Sequence, residues 1–138
     1  MNDTYILDSC ALIALISKEK GDDYVSELLK KAVLNKVSII MHKINLLEVY
    51  YHFYKKLGKT EATAILNFVY SLPIDIISDI TENTFLKAGR LKSLYKMSIA
   101  DTIGIAESII NNGYFVTADH HELDKIPENE RIKFAWIR

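Results

Sequence analysis

Four acidic residues stand where the chain changes character. Asp8 ends the apolar run Tyr5-Ile6-Leu7, and Glu48 lies in Asn45-Leu46-Leu47-Glu48-Val49. Asp101 closes Ser98-Ile99-Ala100-Asp101, and Asp119 follows Phe115-Val116-Thr117-Ala118. Each has an ordinary reading taken alone. Asp8 and Asp119 suit strand ends and turns, Glu48 suits the positive end of a helix, and Ser98 with Asp101 resembles a capping box with Asp in place of Glu or Gln. Brought together they would do chemistry. Carboxylates packed side by side raise one another's pKa and resist joint ionisation, a cost that a divalent cation removes. An all-oxygen donor set without a Cys and His pattern selects Mg²⁺ or Mn²⁺ over zinc. A cation so held polarises a phosphoryl oxygen and activates water, which makes phosphodiester hydrolysis the natural reaction.

For the acids to meet, the elements that carry them must end on one edge. Thr4 to Leu7 reads as a buried strand, and Ser9 can cap a helix running to about Lys18. Gly21 ends that unit, and Asp22 and Asp23 open a helix to about Leu34 with Val25, Leu28, Leu29 and Ala32 on one face. Val37 to Met41 is a second strand. Asn45 is a candidate cap for a helix that carries Glu48 in its first turn and stops at Gly58, and Thr60 begins another to about Tyr70. Pro73 introduces a third strand, Ile74 to Ile77. Thr81 can cap a helix to about Tyr95 whose basic residues Lys87, Arg90, Lys92 and Lys96 suit its later turns. Ser98 starts the next, to about Asn112, with Gly113 as a left-handed cap. Tyr114 to Thr117 is a fourth strand, and a polar connection from His120 to Arg131 leads to a short last strand, Lys133 to Ile137. Strands alternating with helices imply right-handed crossovers and a mainly parallel sheet covered on both faces. Such sheets bind ligands at the carboxyl ends of their strands; on this map Asp8 and Asp119 sit just past two strand ends and Glu48 and Asp101 in first turns of helices, so the four could converge on one edge.

Composition excludes several alternatives. The 138 residues suit one domain able to bury a core unaided, and 49% hydrophobic against 25% charged residues is a folded rather than a disordered balance. Formal charge is −1, so no global basic field attracts a polyanion, and nucleic-acid contact must rest on local patches or a metal. The single cysteine, Cys10, cannot form an internal disulfide and fits a cytoplasmic location. Asp3 and Asp8 interrupt the N-terminal apolar run where a signal peptide needs continuity. No apolar stretch reaches the roughly 20 residues of a membrane span.

In their order and spacing, these motifs together resemble the PIN-domain family, and most nearly VapC-type toxins of prokaryotic toxin–antitoxin pairs. The matching stretches are Ile6 to Leu15, Asn45 to Val49, Ser98 to Asp101 and Phe115 to Asp119, so the likeness covers the whole chain. It implies a single three-layer α/β/α domain over residues 1–138, with a mainly parallel central sheet of four to five strands. By that resemblance Asp8, Glu48, Asp101 and Asp119 hold Mg²⁺ or Mn²⁺ and activate water for RNA cleavage, while Ser9 and Thr117 orient the carboxylates or a bound water. Glu122 or Asp124 could replace Asp119 or add to it. The resemblance further implies a homodimer and a cognate antitoxin that covers the acidic groove. A non-catalytic RNA- or protein-binding module and a non-toxin nuclease of RNA processing are the alternatives.

Other signals are weaker. Gly58-Lys59-Thr60 lacks the earlier glycine of a phosphate-binding loop, because Phe53 stands there. A phosphatase with Asp8 as nucleophile would carry a second aspartate where Cys10 stands. Adjacent His120 and His121 diverge and read as a solvated loop, with RNA contact as the alternative, Cys10 reads as a small core residue, and His42 and His52 read as surface or partly buried structural residues. Lys55, Lys56 and Lys59 with Tyr50, Tyr51 and Tyr54 combine cations and aromatics as an RNA contact would. The same stretch reads more readily as a helix end with solvated lysines and core or dimer-facing tyrosines. Leu46, Leu47, Tyr50 and Tyr54 are candidates for a dimer surface.

Overall fold

The computed structural model describes residues 2–138. Five strands, β1 (Asp3–Leu7), β2 (Val37–His42), β3 (Asp75–Ile77), β4 (Tyr114–Thr117) and β5 (Lys133–Trp136), form one sheet in the order β3-β2-β1-β4-β5. Every pairing is parallel. The helices are α1 (Ser9–Ser17), α2 (Asp22–Val33), α3 (Lys43–Leu57), α4 (Lys59–Tyr70), α5 (Glu82–Leu94), α6 (Ile99–Ile110) and the short α7 (His120–Leu123).

Neighbouring strand residues point to opposite faces, and the two halves of the core follow that rule. Leu7 and Val116 face one cluster with Leu12, Val25, Met41, Val49 and Phe53, from α1, α2, β2 and α3. Ile6 and Phe115 face the other with Leu91, Ile105 and Leu123, from α5, α6 and α7. Each such fully buried aliphatic or aromatic side chain stabilises the fold by about 1.5–3 kcal/mol relative to exposure. Both faces of the sheet are therefore covered, which makes it a three-layer α/β/α arrangement.

The chain leaves β1 towards β2 and β3 on one side, then returns to place β4 and β5 on the other. The strand order reverses between β1 and β4, and that switch point is where open parallel sheets form their crevice. The register puts Leu7 level with Val116. The Asp8 amide then donates to the Val116 carbonyl at 3.1 Å, which pins the first acid beside the end of β4.

Several boundaries differ from the sequence reading. Asp8, not Ser9, caps α1, since its carboxylate is one residue earlier and accepts from the Ala11 amide. His42 caps α3 in place of Asn45: Nδ1 accepts from the Ile44 amide at 3.1 Å, so the proton sits on Nε2, 3.0 Å from the Asp79 carbonyl. This 2% exposed ring is a structural cap at the end of β2. Helix α4 starts one residue early, at Lys59 after Gly58. Asn112, not Gly113, takes the left-handed conformation after α6, at φ 50°. Gly113 is needed for close approach instead, because a Cβ there would lie 2.5 Å from Ile6 Cδ1 and 2.7 Å from the Thr4 carbonyl oxygen. The expected polar connection after Asp119 folds into α7 and a 3-10 turn at Glu128–Glu130. Leu46 is buried in the core, whereas Leu47 and Tyr54 are exposed.

Candidate active site

Asp8 emerges from β1 into the switch-point crevice and is 1% exposed. Its Oδ1 accepts from the Ala11 amide at 3.0 Å. Its Oδ2 is buried and has no hydrogen-bond partner. Burial pushes its pKa up to about 7 against the lowering effect of the Thr117 hydroxyl and the Ala11 amide, and Glu48 and Asp119 push it further the same way. Thr117 Oγ1 accepts from the Asp119 amide at 3.0 Å. Its hydroxyl is the first influence on Asp8 after burial, although Oδ2 has no partner in hydrogen-bond geometry.

Asp101 enters from the first turn of α6, where Ser98 Oγ accepts its amide at 3.1 Å. Its pKa rises to about 8, through burial first and then the charges of Asp8, Asp119, Glu48 and Glu122. Asp119 leaves β4 and caps α7, with Oδ1 3.4 Å from the Glu122 amide. That capping turns Glu122 back towards the site. One oxygen each from Asp101, Asp119 and Glu122 lie within 4.8 Å of one another. Glu48 stands on α3, half-buried, and accepts from the Ser9 hydroxyl at 3.0 Å.

Of the four acids named from sequence, Asp101 and Asp119 bring ligand oxygens together with Glu122, which joins Asp119 rather than replacing it, while Asp8 and Glu48 stand outside that trio, near enough for their charges to act on Asp101. Asp124 does not join: it is exposed and faces His120 Nδ1 at 3.0 and 3.1 Å. Among the described residues the ion pairs involve Glu27, Glu130, Asp124 and Glu19, so no lysine or arginine neutralises the cluster. Cys10 lies close enough for Asp8, Asp101 and Asp119 to act on it, yet burial and then these charges push its thiol up to about 12. In the metal-free protein it is therefore a protonated thiol at neutral pH, not an activated nucleophile. Asn45, which the sequence suggests as a cap, is fully buried in α3 one turn before Glu48, and neither amide atom has a partner. Only the three-residue spacing to Glu48 hints at that placement.

A hard divalent cation fits this donor set. The carboxylates supply only oxygen ligands, burial and mutual repulsion raise the pKa of Asp8 and Asp101, and Asp8 Oδ2 is a desolvated acceptor with nothing to accept from. Such a cation needs oxygen ligands and supplies the missing positive charge.

A family model of the PIN domain matches residues 5–129. The chain belongs to the PIN-domain family. None of the curated protein sequences compared with it matches. Solved structures share its fold at low identity. VapBC2 from Rickettsia felis, bound to a DNA fragment from its promoter, is 21% identical with a TM-score of 0.75, over 96% of this chain and 98% of that one. DNA-bound VapBC from Salmonella typhimurium is 16% identical with a TM-score of 0.73, over 100% of both chains. VapC20 from Mycobacterium tuberculosis, described as a Sarcin-Ricin loop cleaving toxin, is 13% identical with a TM-score of 0.65, over 85% of this chain and 91% of that one. In this PIN domain the acidic crevice lies at the carboxyl edge of the sheet between β1 and β4. No helix is long and apolar enough to cross a membrane among the described residues.

Proposed function

We propose that this PIN-domain protein is an Mg²⁺- or Mn²⁺-dependent endoribonuclease and the toxin of a type II toxin–antitoxin pair. The observation that carries the catalytic part is the meeting of Asp101, Asp119 and Glu122 oxygens within 4.8 Å of one another, with the buried Asp8 Oδ2 left without a partner. Asp8 and Asp101 would hold the cation with Asp119 and Glu122. When bound, that cation supplies charge that polarises the phosphoryl group and lowers the pKa of water. Glu48, oriented by Ser9, takes the proton of the attacking water, and Thr117 holds the backbone of Asp119 in place.

The toxin part rests on the shared fold with the chains of VapBC complexes, which pair with an antitoxin. A cytoplasmic homodimer is part of the same proposal. Leu47, Tyr51, Tyr54, Phe68 and Tyr70 on α3 and α4 are 45–55% exposed and offer apolar surface to a partner. RNA cleavage measured with Mn²⁺ and with chelator, for the native protein and for Asp8→Asn and Asp101→Asn, tests the mechanism. Cleavage that survives both substitutions and chelation would sink it. Isolation of the protein from its native cell should bring down a small protein that suppresses cleavage, and a ribosome-maturation partner in its place would redirect the reading to RNA processing.

A further inference from the structure

Three aromatic rings climb the edge strand towards the acidic crevice. Phe134 and Trp136, two residues apart on β5, stack at 5.0 Å between centroids and 23° between planes. His120 lies on Trp136 at 3.9 Å and 16°. Phe134 and His120 thus each lie stacked against the tryptophan. The register makes this a staircase: Phe134 is level with Phe115, and Trp136 is level with Thr117, the last residue of β4. His120 is the step beyond, directly after Asp119.

The top step is fixed and open. His120 Nδ1 faces the Asp124 carboxylate at 3.0 Å and Nε2 faces the Arg138 carbonyl at 2.8 Å, so the ring cannot turn off the tryptophan without losing both contacts. Even so, 46% of its side-chain surface is exposed, and no second ring covers it among the described residues. Packing alone does not call for an exposed imidazole clamped at both nitrogens. A flat ring that ends a stack beside a phosphodiester site is what a nucleobase continues, since every base has a π-face.

We infer that His120 is the stacking platform for one base of the RNA strand that crosses the acidic crevice, with Trp136 and Phe134 as its backing. The inference rests on the ribonuclease reading and goes beyond it by assigning a base-stacking role to a residue whose sequence favours a solvated loop over RNA contact. The contact is to a base face, so it is tolerant of sequence and acts mainly on binding.

Trp136 is the only tryptophan of the chain, so its emission reports on the stack directly. A ten-nucleotide single-stranded RNA is titrated into the full chain carrying Asp8→Asn in Mg²⁺, with and without His120→Ala or His120→Phe. Steady-state cleavage is measured for the same His120 substitutions with Asp8 intact. We expect RNA to change the Trp136 emission, His120→Ala to weaken binding and raise KM on the order of tenfold with kcat little changed, and His120→Phe to restore most of both. A His120→Ala protein that binds and cleaves with native Kd and KM, or a His120→Phe protein as impaired as His120→Ala, overturns the platform while leaving the nuclease intact. Native protein that neither binds nor cleaves RNA overturns both.

Discussion

At the scale of single residues, the site holds acids in the state they least favour. Asp101 is 7% exposed beside four other carboxyl groups, and its pKa stands near 8. Asp101→Asn removes one charge from that group without changing its size. We expect RNA cleavage to fall by roughly 100-fold or more, as when a preorganised electrostatic group is lost, while the metal-free protein gains on the order of 1 kcal/mol at pH 8. Denaturant melts in chelator beside a cleavage assay check both directions, and an Asn variant that is less stable and fully active would contradict the electrostatic account. Ser9→Ala is milder. It takes from Glu48 the hydroxyl at 3.0 Å, and roughly tenfold lower kcat with unchanged metal affinity is the expected result. Asp8 was legible in the sequence because an acid ends an apolar run. Glu122 was not resolved from Asp124, because the choice depends on the four-residue α7, too short to leave a periodic pattern. His42 escaped as a cap because imidazole accepts from an amide only in one tautomer.

At the scale of elements, the same substitution should act with opposite signs on two neighbouring helices. Gly89 on α5 has open space where a Cβ would go, so Gly89→Ala should stabilise by up to about 1 kcal/mol through helix propensity alone. Gly104 on α6 would place a Cβ 2.7 Å from Phe115 Cε1 and 3.1 Å from Asn45 Nδ2. Phe115 is fully buried and cannot give way, so overpacking of about 1–3 kcal/mol outweighs the propensity gain. Gly104→Ala should therefore lower the denaturation midpoint. It should also lower cleavage, since α3 and α6 carry Glu48 and Asp101 one turn from that contact. Equal shifts of the two variants would refute the argument. All five strands and six of the helices could be placed from hydrophobic period and punctuation, because long amphipathic segments announce themselves. What period cannot show is why Gly104 and Gly113 are small, since their neighbours come from β1, β4 and α3, distant in sequence.

At the scale of the whole molecule, the crevice makes folding, protons and metal compete. An ordinary aspartate titrates at 3.8, whereas Asp8 and Asp101 in the folded chain reach about 7 and about 8. The two feel one another and titrate as a pair. Between these limits the folded protein binds more protons than the unfolded chain, so stability falls as pH rises. Metal-free Tm should decline from pH 5 to pH 8, the window set by these raised pKa values. His120, raised by the Arg138 carbonyl and then Asp124, acts in the same sense near neutrality, so the control is the Asp8→Asn, Asp101→Asn double variant, whose profile should be much flatter. Glu130, lowered by Arg90 and Tyr95, acts at more acidic pH and in the opposite sense. A divalent cation binds the ionised carboxylates and displaces their protons, so the rise in Tm produced by Mn²⁺ should grow with pH and be small at pH 5. Calorimetry with and without Mn²⁺ across this range measures both slopes. A metal-free Tm independent of pH, or an Mn²⁺ effect as large at pH 5 as at pH 8, would mean that these acids are not the cation's ligands. The stability given up in the metal-free protein is then the measure of how strongly the fold presents its carboxylates to a cation.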